Sequence, residues 1–115
     1  MKKLIEKYWE DMHVGVTTQD KTKITQYFTK SAVYRFRPVG GMMNVAVDDM
    51  AKGCLGYKDS LDCKYSIDRI DELADGSWVS IIISSVNKKP YFITSFFKFD
   101  GDKIMELVEY YGDFE

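Results

Sequence analysis

The sequence has two cysteines, one histidine, no run of basic residues and no long apolar stretch, and each shortage removes a class of protein. Its 16 basic residues are dispersed along a chain of net charge −2. A phosphate-backbone binder needs a concentrated basic footprint, so nucleic acid is excluded as a partner. The apolar stretches are only a few residues long, and Met1-Lys2-Lys3-Leu4-Ile5-Glu6 turns polar before a signal-peptide core forms. A cytoplasmic protein with no membrane partner is expected. Cys54 and Cys63 are then expected as two thiols rather than a disulfide, because no export signal directs the chain to an oxidising compartment. No Cys/His spacing of the metal-binding kind is present, and no metal or other cofactor is expected.

What the sequence has in quantity is apolar and aromatic surface. Its 115 residues are 45% hydrophobic and 30% charged, which fits one domain spanning residues 1–115 with a core of its own. Seven Phe, eight Tyr and two Trp exceed what a minimal core requires, so some of these rings are expected at a cavity or an interface.

Apolar periodicity gives the elements. Leu4, Ile5, Tyr8, Trp9, Met12, His13 and Val16 recur at helical spacing, with Lys3, Glu6, Lys7, Glu10 and Asp11 on the opposite face. Asp20 is placed to cap a short second helix whose buried face is Ile24, Tyr27 and Phe28. Ala32 to Arg37 alternates as a strand ended by Pro38, which has no amide hydrogen for a ladder. Residues 39–47 read as a loop plus a short strand, and a third helix capped by Asp48 or Asp49 runs to about Tyr57. Four strands follow, at about 62–73, 78–87, 91–99 and 103–112, separated by turn chemistry at Asp75-Gly76, Asn87 to Pro90 and Asp100-Gly101-Asp102. Helices segregated from a meander of strands indicate an α+β layer architecture.

Tyr27-Phe28-Thr29-Lys30-Ser31-Ala32-Val33-Tyr34, Arg37-Pro38-Val39-Gly40, and Phe97-Lys98-Phe99-Asp100-Gly101-Asp102-Lys103-Ile104 followed by Glu109-Tyr110-Tyr111 carry a resemblance. In their joint order the sequence resembles the nuclear-transport-factor-two-like superfamily, and within it the SnoaL-like polyketide cyclase and ketosteroid isomerase group. The resemblance implies a cystatin-like cone, with N-terminal helices packed on a curved antiparallel sheet around a cavity, and a homodimer formed by sheet packing. It also carries a test of chemistry, since a ketosteroid isomerase needs a carboxylate base and a protonated Asp beside a Tyr. Arg37 stands at the position matching the base and Ser95 at the position matching the Asp. A guanidinium does not deprotonate in a protein, which argues against steroid-isomerase chemistry.

Three residues are candidates for chemistry. His13 is expected to point inward beside Tyr8, Trp9 and Met12, as a proton shuttle or as a histidine bonded to backbone. Arg37 offers a fork of donors to an anionic group, yet alternation sets it opposite Tyr34 and Phe36, as a solvated strand-end arginine would be. Glu109 stands between two faces that both carry apolar residues, so alternation leaves open whether it and Tyr111 face inward or Tyr110 does. A buried Glu109 would have a raised pKa and act as acid or base.

The expected cavity wall comprises Tyr8, Trp9, Met12, Tyr34, Phe36, Tyr57, Trp78, Phe97, Tyr110 and Tyr111, with Trp78, Ile82, Phe97 and Phe99 also suited to the core. Two-sided apolar character over 77–86 and 91–99 implies a covering layer on each face of the sheet, the outer one a second copy. Three functions fit: a binder of a small apolar or aromatic molecule, an isomerase, cyclase or hydrolase using His13 or Glu109 as proton carrier, and a non-catalytic dimerisation module.

Overall fold

The computed structural model describes residues 1–37, 42–56, 65–86 and 89–113, and the statements below concern those residues. The apolar stripe of the leading segment becomes a helix, α1 (Lys2–Thr18), with Ile5, Tyr8, Trp9, Met12 and Val16 buried. It ends where Gln19 adopts the left-handed conformation at φ 59°. The turn that follows doubles back so tightly that a β-carbon on Gly15 would stand 3.0 Å from the Asp20 carbonyl oxygen and 3.2 Å from Ile24 Cγ1. Glycine is what lets α1 and α2 (Thr22–Thr25) touch there.

Asp20 accepts the Thr22 amide at 3.0 Å, the service expected of it, although Lys21 occupies the cap position itself. Tyr27 and Phe28 leave the helix they were expected to extend. Tyr27 lies in the turn, its carbonyl accepting the Ile104 amide at 2.7 Å, and Phe28 opens β1 (Phe28–Arg37). A long-range strand pairing thus overrides local helical spacing. β2 (Met43–Val45) and α3 (Val47–Leu55) follow. Ala46 is the N-cap of α3, while Asp48 turns to ion pairs with Lys21 at 2.7 Å and Lys52 at 3.2 Å.

The remaining strands are β3 (Tyr65–Glu72), β4 (Trp78–Val86), β5 (Lys89–Asp100) and β6 (Lys103–Asp113). They form the expected meander, and the six-stranded sheet has the order β2-β1-β6-β5-β4-β3. Every pairing is antiparallel except β1 with β6, which is parallel and places Tyr34 beside Leu107 and Phe36 beside Glu109. Register shifts leave an unpaired residue in β3 at Asp68 and in β6 at Met105, and such bulges bend a sheet.

The core lies between α1 and the inner face of the sheet. The Tyr8 ring is its hub, with edge-on contacts to Trp9, Tyr27, Phe28 and Phe97 at centroid separations of 5.2 to 5.9 Å. Fully burying an apolar side chain contributes about 1.5–3 kcal/mol, so this cluster anchors the helix to the sheet. Among the described residues no helix is long and apolar enough to cross a membrane. Pro38, Tyr57, Cys63 and the expected turn at Asn87 lie outside the described residues.

Candidate functional site

The bulge at Met105 decides which face of β6 turns inward. Simple alternation puts Ile104 and Leu107 on opposite faces, but the extra residue resets the count, and both are buried together. From Leu107 onward the inner series is Leu107, Glu109 and Tyr111. The open question about β6 is therefore answered: Glu109 is inside and Tyr110, 39% exposed, is outside against Phe96.

Glu109 is only 4% exposed. Its Oε1 accepts the Tyr34 hydroxyl at 2.6 Å and the Tyr111 hydroxyl at 3.3 Å, and its Oε2 accepts the Ser95 hydroxyl at 2.6 Å. Three strands supply these groups: Tyr34 from β1, Ser95 from β5 directly opposite Glu109, and Tyr111 from β6 itself. Burial raises the Glu109 pKa, and the three hydroxyl donors pull it back down. Burial and the adjacent carboxyl in turn push the Tyr34 and Tyr111 phenols far above the usual range. Both phenols stay protonated and act as donors.

One cavity opens on this carboxyl, and a second adjoins it. The first, about 240 Å³, is bounded by Trp9, Met12, Cys54, Tyr65, Tyr91, Ile93, Glu109 and Tyr111. The second, about 410 Å³, is bounded by Tyr34, Phe36, Val45, Asp49, Met50, Gly53, Cys54 and Tyr111. Cys54 and Tyr111 border both. Tyr111 shows 42% of its surface to solvent, yet its hydroxyl reaches inward to Tyr34 at 3.3 Å and to Glu109. The Trp9 indole is fixed by donating to Ser80 Oγ at 3.1 Å.

Of the residues expected at the site, Glu109, Trp9, Met12, Tyr34, Phe36 and Tyr111 meet there. His13 does not. It is exposed on the outer side of α1, in an open groove with Glu6 and Glu10, because each helical residue turns the chain by about 100° and His13 falls that far from the centre of the buried stripe. Arg37 is exposed as well, on the strand face opposite Tyr34 and Phe36. Tyr110 is outside for the reason given by the bulge. Phe97 is completely buried, stacked on Phe99 at 6.0 Å and touching Tyr8, so it belongs to the core, as does Trp78, its cross-strand partner. Tyr8 gives its ring to the same core, and its buried hydroxyl has no hydrogen-bond partner. Tyr57 lies outside the described residues.

The site also contains Cys54, Tyr65, Tyr91 and Asp49, which were not expected there, and Ser95, which was noted only as standing where the resemblance would put an Asp. Ser95 carried a signal, a lone hydroxyl between Ile93 and Phe97 on one face of an apolar strand, where a buried polar group needs a partner. Among the described residues no three His, Cys, Asp or Glu side chains gather as metal ligands would.

No protein-family model matches the sequence, and no curated protein matches it. Solved structures do match. An NTF-2-like protein of unknown function from Burkholderia xenovorans superposes with a TM-score of 0.74 at 15% identity, covering 99% of this chain and 84% of that one. The fold is that of the nuclear-transport-factor-two-like proteins. Also sharing this fold is a ketosteroid isomerase, so described provisionally, from Kribbella flavida, with a TM-score of 0.69, 10% identity and coverage of 98% and 78%. SalBIII, an epoxide hydrolase/cyclase-like enzyme in pyran ring formation in the polyether salinomycin, superposes with a TM-score of 0.71, 15% identity and coverage of 96% and 89%. The nuclear-transport-factor-two-like cone, with helices closing a curved sheet, is the cystatin-like α+β architecture expected from the sequence.

Proposed function

We propose that the chain binds a small, largely apolar molecule in the paired cavities, with Glu109 as its principal polar contact. The observation that carries this reading is a buried carboxyl, held by three hydroxyls, that opens onto walls of aromatic and aliphatic side chains. Ligand sites have that make-up, an apolar body with a few convergent polar groups that fix orientation. Among the described residues no side chain fills this space, which counts against a purely structural module. Native mass spectrometry of purified protein tests the reading, and a co-purified small molecule is the expected result. Substituting Met50→Trp, which fills the second cavity from α3, should displace that molecule. Retention of it by a folded variant would place the binding elsewhere.

A second reading, proton transfer to or from the bound molecule, is favoured by the raised pKa of Glu109 and its contact with two phenols. It predicts that a bound molecule bearing an acidic C–H exchanges that hydrogen with D2O, and that E109Q abolishes the exchange. Exchange that continues in E109Q would reject Glu109 as the proton carrier.

A further inference from the structure

Among the described residues, the ionisable groups lining the cavities are acids, with no basic side chain. Their described lining includes two carboxyl groups, buried Glu109 in the first and Asp49, exposed on α3, in the second, and no Lys, Arg or His. The three groups bonded to Glu109 are neutral hydroxyls, so none of them would balance the charge of its ionised form. Around the carboxyl stand π systems, with Trp9 beside Tyr65 at 5.6 Å and Tyr91 beside Tyr111 at 6.4 Å between ring centroids. The faces of such rings are negative and attract cations. Tyr8 adds a buried hydroxyl with no hydrogen-bond partner, and Glu109, Cys54, Tyr111 and Tyr65, all of the first cavity's wall, act on it electrostatically.

We infer that the molecule these cavities accept is an organic ammonium ion, a protonated or quaternary amine carried on an apolar body. The inference rests on the reading that the cavities hold a ligand, and it names the class. An anion would meet two carboxyls and the negative faces of the rings. A neutral molecule could hydrogen-bond a carboxyl but would leave its charge unbalanced. An ammonium group beside Glu109 supplies a counter-charge that no described lining residue offers, and its methyl or methylene groups, which share the positive charge, pack on the rings.

The test compares benzyltrimethylammonium with neopentylbenzene, its neutral isostere, by quenching of tryptophan fluorescence and by calorimetry. The ammonium should bind about tenfold tighter or more at pH near 8, a preference that ring faces and a desolvated carboxylate together supply. Among the described residues, the titratable groups facing Glu109 are Tyr8 of α1, Tyr34 of β1, Cys54 of α3, Tyr65 of β3, Tyr91 of β5 and Tyr111 of β6, with Asp49 in the adjoining cavity. Tyr8, Tyr34 and Tyr111 are pushed upward and stay neutral, so acidification protonates Glu109 and the preference should shrink. E109Q, with folding verified by circular dichroism, should bring the two affinities close together. If the isostere binds as tightly as the ammonium across the pH range, the ammonium assignment fails while the ligand-binding reading stands. If neither compound binds, the ammonium assignment fails, and native mass spectrometry of the purified protein decides the ligand-binding reading on its own.

Discussion

At Tyr34, one oxygen atom links the aromatic wall to the acid. Tyr34→Phe removes the 2.6 Å hydrogen bond to Glu109 and leaves a buried carboxyl with two donors in place of three. Depriving a buried polar group of a partner costs about 1–3 kcal/mol, which urea denaturation at neutral pH should show. A variant as stable as the parent would mean that water replaces the phenol. Glu109→Gln acts in a pH-dependent way. The folded-state pKa lies above the ordinary 4.5, so between 4.5 and that higher value the folded chain holds more protons than the unfolded one. Stability contributed by the neutral form is therefore lost as pH rises through this window, and Gln, which never ionises, escapes the loss. Thermal melts should show the E109Q melting temperature gaining on the parent with rising pH, by roughly a few degrees. A difference that stays constant from acid to neutral pH would contradict the raised pKa. How far the sequence disclosed the site differs from residue to residue. Glu109 and Tyr111 were legible as an acid and a phenol on one face, because alternation alone links them. His13 misled because it borders the apolar stripe, and whether a border residue turns in or out is settled by how the helix sits on the sheet.

Among the elements, β6 departs furthest from its pattern. Strand, turns and flanking glycines could be read from period-two alternation, but the bulge at Met105 could not, since an exposed methionine there looks like any other strand residue. Deleting Met105 would restore unbroken alternation and turn Leu107, Glu109 and Tyr111 outward if Ile104 kept its place. The expected outcome is a chain that loses cooperative unfolding or slips register, measured by thermal melting and near-ultraviolet circular dichroism. A folded variant with an intact Tyr34–Glu109 contact would show that the bulge is dispensable. Gly112 marks a second special point on this strand. It pairs with Phe92, whose ring covers it so closely that an added β-carbon would lie 2.3 Å from the ring. Gly112→Ala should cost about 1–3 kcal/mol by forcing that ring aside. An unchanged melting temperature would show that the ring moves freely. The start of β1 at Phe28 was equally hidden, because Tyr27 and Phe28 continue a helical spacing that only pairing with the distant β6 overrides.

For the whole molecule, the order of helices before strands was enough to indicate layers, because segregated elements can bury their apolar faces only against one another. Parallel pairing of β1 with β6 was out of reach, as no local signal reports which strand a distant segment joins. The outer face of the sheet leaves Val33, Ile83, Phe96, Met105 and Tyr110 exposed, on strands that were expected to be covered on both sides. We propose that a second copy of the chain covers this face. Analytical ultracentrifugation at micromolar concentration should give a dimer mass, and Phe96→Glu should shift it to monomer. A monomeric parent would remove the proposal.

The hydrogen bond between Tyr34 and Glu109 joins residues 75 positions apart. Since a ribosome makes β1 early and β6 after every other strand, a nascent chain can raise most of the cavity wall before its acid exists. On the proposed reading, the ligand's principal polar contact is thus added to the wall only after β1 to β5 have been made.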